Sequence, residues 1–507
     1  MHKYVSLFVI ALTLPIKAFS GENAPPLPAA SLPLTPPPPP KEEIAVTTHS
    51  VIVNGISIPY TTTVGTQTHT DEHGVAKGTI FYIAYTKNGV TDPEERPITF
   101  CFNGGPGSSS VWLHLGVFGP KRVSMNKLGT EPTYPFQLID NYYSILDTTD
   151  LVFIDPISTG YSRAVDGESD KQFHGVKPDI NSVSEFIRLY VTRNQKWNSP
   201  KFIAGESYGT TRAVGVALEL HDHYYLYLDG IILVSSILDF QTISFNSGND
   251  LAYIVNLPSY TATALYHKKL SKELQADPKA TLKLAEEFTY GEYAKALLYG
   301  DILNVKHQRD IEEKLSRFTG ISKDYIKKAN LRVNSQQFAK ALLSDEMLTL
   351  GRFDSRYAGV DLYPCRDTPS FDPSLEAILG VFTSTFNDYV VKDLNWKKDE
   401  EYKILTDVGP WDYTVATNQY LNMSDKLRDV MSKNPRLGVF VASGIDDLAT
   451  PYFATHYTFT HLNLAPSLRD HVVLKDYEGG HMMYLYQPSL ESLTSDIRTF
   501  INHQINQ

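Results

Sequence analysis

Ser207 stands between two glycines in Gly205-Glu-Ser-Tyr-Gly209. A serine hydroxyl becomes a nucleophile only when a base removes its proton, and that base needs a carboxylate to orient it. Both are available far downstream. Asp446 and Asp447 close the stretch Ser443-Gly-Ile-Asp-Asp447, and His481 ends Glu478-Gly-Gly-His481. Serine, then aspartate, then histidine is one of the chain orders in which this trio recurs. Acyl transfer also needs donors for a tetrahedral oxyanion. Asn103-Gly-Gly-Pro-Gly-Ser-Ser109 offers backbone N–H groups unobstructed by side chains. It lacks the lysine that a phosphate-cradling loop would carry.

These groups can meet only if the elements before them end at one rim. Pro200–Ala204 reads as a short buried strand, and Thr210 to about His221 as a helix packed on it. Ser207 then occupies a sharp strand-to-helix turn whose helix N-terminus favours developing negative charge. Ile98–Phe102 is an apolar strand leading into the glycine loop, Leu437–Ala442 leads to the aspartates, and His471–Leu474 leads to the histidine. Further strands are expected at Val51–Val53 and Ile56–Ile58, joined through Asn54-Gly55, and at Thr79–Tyr85, Leu151–Ile154 and Leu228–Val234. Val176 to about Trp197 and Ser489 to about Ile501 have helical periodicity. Strands alternating with helices predict an α/β fold with a largely parallel sheet, and loops at the carboxyl ends of its strands share one rim.

From about Ser244 to Lys403 helical patterns dominate, with helices expected at Thr281–Leu298, Asp310–Phe318, Ser335–Leu350 and Pro373–Tyr389. The expected organisation is a signal peptide (1–20), a proline-rich linker (21–43), a core in two parts (44–243 and 404–507) and a helical cap inserted between them (244–403). The apolar run after Lys3, with Ala18-Phe-Ser20 behind it, has the form of a secretory signal, which places the protein in the periplasm or outside the cell. No later stretch is apolar for long enough to cross a membrane, so no stable membrane insertion is expected after signal cleavage. A net charge of −11 over 507 residues argues against a nucleic-acid partner. Cys101 and Cys365 are too few for a disulfide framework. His69-Thr-Asp-Glu-His73 is read as a solvated loop rather than a metal site, and no metal or cofactor is expected. Asn422-Met-Ser424 matches a glycosylation sequon, meaningful only in a eukaryotic secretory pathway.

Asn103-Gly-Gly-Pro-Gly-Ser, Gly205-Glu-Ser-Tyr-Gly209, Asp155-Pro-Ile-Ser-Thr-Gly-Tyr-Ser162 and Gly479-Gly-His481 together resemble the serine carboxypeptidase family. The resemblance runs from about Ile44 onward. It implies an α/β-hydrolase fold and removal of C-terminal amino acids from peptides or proteins, without a cofactor. By motif it implies Ser207 as nucleophile, His481 as base and Asp447, three residues after Gly444, as orienting acid; the chemistry alone leaves Asp446 and Asp447 equivalent. It further implies the Gly105 and Tyr208 amides as oxyanion hole, and Asn103, Gly104 and Glu206 as holders of the substrate's terminal carboxylate. Glu206 can serve there only by sharing a proton with that carboxylate, because two like charges so close repel. Acidic solution would then favour proteolysis. Three positions depart from the family: Val117 stands where some members have a glutamate, Ser108 where many have cysteine, and Ser158 where glycine is frequent. An esterase or acyltransferase using the same trio is the alternative reading.

Overall fold

Asn54 and Gly55 take positive φ, 50° and 79°, the conformation that a two-residue hairpin of this twist requires. They join β1 (Ile44–Val53) to β2 (Ile56–Thr70) in an antiparallel pair. The computed structural model describes residues 40–506. The expected signal segment and residues 21–39 of the proline-rich tract lie outside the described residues. β3 (Ala76–Lys87) continues the antiparallel run. Next come β4 (Ile98–Phe102), β5 (Asp150–Ile154), β6 (Lys201–Glu206), β7 (Gly230–Val234), β8 (Gly438–Gly444) and β9 (Val472–Tyr477). The order across the sheet is β1-β2-β3-β5-β4-β6-β7-β8-β9, with the short strand Arg163–Ala164 paired to β3. Every pair from β5 to β9 along this order is parallel.

The central parallel strands are buried along their whole length and mainly apolar, because both of their faces are covered. Alternation sends Phe100, Phe102, Ile203 and Ile231 into one buried cluster and Cys101, Phe202, Ala204 and Ile232 into the other. The first face packs against α1 (Val176–Arg193) and α2 (Tyr208–Tyr224). Between β7 and β8 the chain forms mainly helices, among them α3 (Leu251–Tyr266), α4 (Val305–Thr319) and α5 (Pro373–Lys392). The second face receives Phe382 and Phe386 of α5 and Leu490, Leu493 and Ile497 of the last helix, α6 (Gln487–Ile505). Leu257, Ile311 and Phe338 of the helical insertion share a third cluster with Leu448, next to Asp447. The insertion's core therefore reaches the loop that follows β8.

Two local expectations are corrected. The helix from Ser335 stops at Ala341 rather than Leu350, and Leu348–Leu350 pairs as a strand with Ala358–Val360. Met347, at φ 58°, breaks the helical path there. His69 is not in a loop: β2 continues to Thr70, and His69 pairs with Glu185 of α1. Cys101 is buried, Cys365 is exposed, and each is a free thiol.

Candidate active site

β6 ends at Glu206 and α2 begins at Tyr208, so Ser207 alone makes the turn. Its φ of 59° and ψ of −130° are a conformation that a residue with a Cβ avoids unless its surroundings impose it. They do: Ser207 N donates to Val234 O of β7 at 3.0 Å, and Thr210 N donates back to Ser207 O at 2.8 Å. A Cβ on Gly205 would strike the Gly209 carbonyl, and one on Gly209 would come within 2.9 Å of Phe102 O. The flanking glycines are what allow the turn to close against β4.

The loop after β8 carries both aspartates, and they face different partners. Asp447 is fully buried. Its Oδ1 accepts from Ala449 N (2.7 Å) and Thr450 N (3.0 Å), and its Oδ2 accepts from Thr450 Oγ1 (2.7 Å). Oδ2 is also 2.7 Å from His481 Nδ1. Burial alone would raise its pKa, but the His481 charge and these hydrogen bonds outweigh burial and hold it low. Asp446 turns away from the imidazole: its Oδ2 accepts from Gly479 N at 3.2 Å. Burial, then the neighbouring Asp354, pushes its carboxyl up to about 7.

His481 is fixed on several sides. Its N–H donates to Phe353 O (2.5 Å), its carbonyl accepts from Ser235 Oγ (2.6 Å), and its ring lies 4.9 Å from that of Phe353. Burial disfavours the imidazolium, yet Asp447 and then Glu206 raise its pKa above the ordinary histidine value. With Nδ1 turned to Asp447, Nε2 is the nitrogen free to meet a hydroxyl. Ser207 and His481 line one cavity of about 100 Å³, together with Asn103, Gly104, Gly105 and Glu206.

The glycine loop sits directly on the elbow. A Cβ on Gly104 would press into the backbone of Tyr208, Gly209 and Glu206. Gly105 has φ of 99°, and neither its amide nor that of Tyr208 takes a partner among the turn and loop hydrogen bonds of the described residues. Gly104→Ala should therefore push the loop off the elbow and lower kcat by about a hundredfold, at a stability cost of about 1–3 kcal/mol. Turnover measured beside thermal unfolding checks this; unchanged turnover would remove the loop from the chemistry.

Asn103 Oδ1 accepts from Leu113 N at 3.0 Å, while its Nδ2 donates to Glu206 Oε1 at 2.8 Å. An amide nitrogen has two protons, so one remains for another acceptor. Glu206 Oε2 accepts from Tyr484 OH at 2.6 Å. Burial raises the Glu206 pKa to about 7, against the opposing pull of His481, Tyr484 and Asn103. Val117, the first departure from the family pattern, is buried next to Gly116, and a Cβ on Gly116 would strike the Tyr484 ring. Tyr484 gives Glu206 a second partner beside Asn103. Ser158, the third departure, holds φ of 79°, a backbone conformation that favours glycine; its Oγ lies 2.9 Å from His174 Nε2.

Several supporting residues carry no local sequence signal. Thr450 supplies two of the donors to Asp447. Buried Arg212 of α2 donates from Nη1 to Asn103 O, and its Nε pairs with Asp179 of α1 at 2.8 Å, tying two helices to the glycine loop. Arg356 pairs with Asp354 at 2.6 Å and lies 4.0 Å from Asp446. Asp354 Oδ2 also accepts from Gly480 N at 3.1 Å, so a buried charge cluster grips the loop carrying His481.

A parallel sheet with a strained serine after β6, an aspartate after β8 and a histidine after β9 defines an α/β-hydrolase. The structure of Kex1(Δ)p, a prohormone-processing carboxypeptidase from Saccharomyces cerevisiae, superposes with a TM-score of 0.54 at 16% identity, covering 88% of this chain and 92% of that one. The family model described as serine carboxypeptidase matches residues 66–477, and the chain belongs to that family. Serine carboxypeptidase-like 5 of Arabidopsis thaliana is 28% identical over 223 residues, 41% of this chain and 48% of that protein. Carboxypeptidase Y of Schizosaccharomyces pombe is 31% identical over 134 residues, 26% of this chain and 12% of that protein. The matched region spans about half the length of the Arabidopsis relative.

Proposed function

We propose that this protein is an exported serine carboxypeptidase that releases C-terminal amino acids from peptides through an acyl-enzyme on Ser207. Ser207 Oγ attacks the last peptide carbonyl while His481 Nε2 takes its proton and Asp447 holds the imidazole. The Gly105 and Tyr208 amides stabilise the oxyanion. Collapse breaks the C–N bond, and His481 gives its proton to the departing amine. Water, deprotonated in turn by His481, then attacks the acyl ester; the C–O bond to Ser207 breaks, His481 returns the proton to Ser207 Oγ, and the shortened peptide leaves as a carboxylic acid. Asn103, Gly104 and Glu206 hold the terminal carboxylate. Residues 1–20 are the proposed export signal. Among the described residues no helix is long and apolar enough to cross a membrane.

The observation that carries this reading is the Asn103–Glu206 hydrogen bond in the cavity that contains Ser207. A buried carboxyl and amide beside a nucleophile suit a substrate ending in a free acid better than an internal peptide bond or a simple ester. The test compares a blocked dipeptide with its C-terminal amide, with products read by mass spectrometry. The free acid should be cleaved at least about a hundredfold faster in kcat/KM, since the amide is uncharged and its NH₂ cannot accept from the donors of Asn103 and Gly104. Equal rates would favour the esterase or acyltransferase alternative.

The pH dependence follows from two shifts of opposite consequence. Glu206, raised to about 7, keeps its proton below that pH and loses it above. KM for free-acid peptides should therefore be low in acid and rise by up to about tenfold per pH unit above 7. His481, also raised, must be neutral to act as base, so kcat should fall as the solution becomes acidic. Initial rates from pH 4.5 to 8.5 separate the two, and a flat KM would remove the shared proton.

A further inference from the structure

The cavity at Ser207 is lined on its insertion side by Arg352, Phe353 and Leu375. The same three residues line a neighbouring cavity of about 230 Å³, whose wall includes Leu350, Phe371 and Asp372 but none of Asn103, Gly104 or Glu206. Arg352, Phe353 and Leu375 therefore border both the nucleophile's cavity and a recess that Asn103, Gly104 and Glu206 do not line. Arg352 is exposed and rests over the Phe353 ring at 5.3 Å. It forms no ion pair among the described residues. The nearest acid of the recess, Asp372, has its oxygens engaged: Oδ2 accepts from the Arg352 and Phe353 amides at 3.2 and 3.3 Å, and Oδ1 accepts from Ser374 N at 2.9 Å. The guanidinium is left as the group with donors to spare.

Phe353 fixes where on a substrate this cation would act. Its carbonyl and ring both hold His481, the residue that protonates the departing amine. Arg352 thus borders the side from which the released amino acid leaves. Resting on the carboxypeptidase reading above, we propose that Arg352 is a specificity-determining residue that favours peptides whose C-terminal amino acid has an acidic side chain. The α-carboxylate goes to Asn103, Gly104 and Glu206, and the side-chain carboxylate turns into the recess and takes the guanidinium. A fork of N–H donors suits a planar carboxylate.

The test measures kcat/KM for blocked dipeptides ending in Glu, Gln, Ala and Lys, with wild type, Arg352→Gln and Arg352→Lys. Wild type should prefer Glu over Gln by about tenfold. That ratio should fall to near one in Arg352→Gln and be partly kept in Arg352→Lys, while the Ala peptide changes by less than about threefold. A Glu/Gln ratio near one in wild type would overturn the proposal. So would an equal loss on all four peptides in Arg352→Gln, which would assign Arg352 to the α-carboxylate. A preference that appears only when Glu is moved to the penultimate position would likewise overturn it. If wild type cleaves none of the free acids but does cleave the matching esters, the carboxypeptidase reading itself fails, and the proposal with it.

Discussion

Replacing Ser207 with alanine should lower kcat for peptide hydrolysis by about 10⁶-fold, with KM changed by less than about threefold. The hydroxyl oxygen is the only heavy atom removed, and the hydrogen bonds that Asn103 makes to Glu206 and Leu113 do not depend on it. Stability should hardly move, because alanine inherits the same backbone strain at φ 59° and the same bond to Val234 O. Adding His481→Ala to Ser207→Ala should cost little more, since groups that act as one unit do not lose activity additively. Single-turnover kinetics, with circular dichroism to show that the variant is folded, are the measurements. Residual turnover above about one part in a thousand would mean that another group opens the peptide bond.

The placement of the candidate site residues was legible in the sequence where each part is local. A strand, a tight turn and the groups on it lie within a dozen residues, so Ser207, the glycine loop and the loops bearing Asp447 and His481 could be read from order and spacing. The parallel strands were legible for a related reason: burial on both faces makes them short, mainly apolar runs, as in Leu151–Ile154. Leu348–Leu350 misled because a short apolar run after a helical pattern has no period of its own, and its pairing with Ala358–Val360 is a tertiary fact. His69 misled because its polar neighbours resemble a loop, while β3 pairs β2 as far as Thr70.

What stayed hidden was the supporting shell. Tyr484 reaches Glu206 across 278 residues and Arg212 reaches the Asn103 carbonyl across 109. Such contacts leave no trace in local composition. The Arg356–Asp354 pair spans only two residues, but its hold on the His481 loop reaches across 126. The two aspartates after β8 are the instructive case. Side-chain chemistry could not separate Asp446 from Asp447, and only the resemblance to the family chose between them. In the structure, it is the Asp447 carboxylate that faces the imidazole.

That contrast yields the second large effect. Asp447→Asn should lower kcat by about 10⁴-fold while leaving the fold intact. The reason lies in how the carboxylate is held. Oδ1 accepts from the Ala449 and Thr450 amides, so an asparagine must place its carbonyl oxygen there. Its NH₂ then occupies the Oδ2 position and donates to His481 Nδ1. The imidazole is thereby driven to the tautomer with its proton on Nε2, which can no longer accept from Ser207. Asp446→Asn should behave differently. Its carboxyl, raised to about 7, is already partly neutral near that pH, and an amide oxygen can still accept from Gly479 N. The loss there should stay within about tenfold. Proton NMR of the imidazole, recorded beside kcat for both variants, separates a wrong tautomer from a misplaced loop. Should Asp446→Asn prove as damaging as Asp447→Asn at equal stability, the carboxylate that orients His481 during turnover would be the other one.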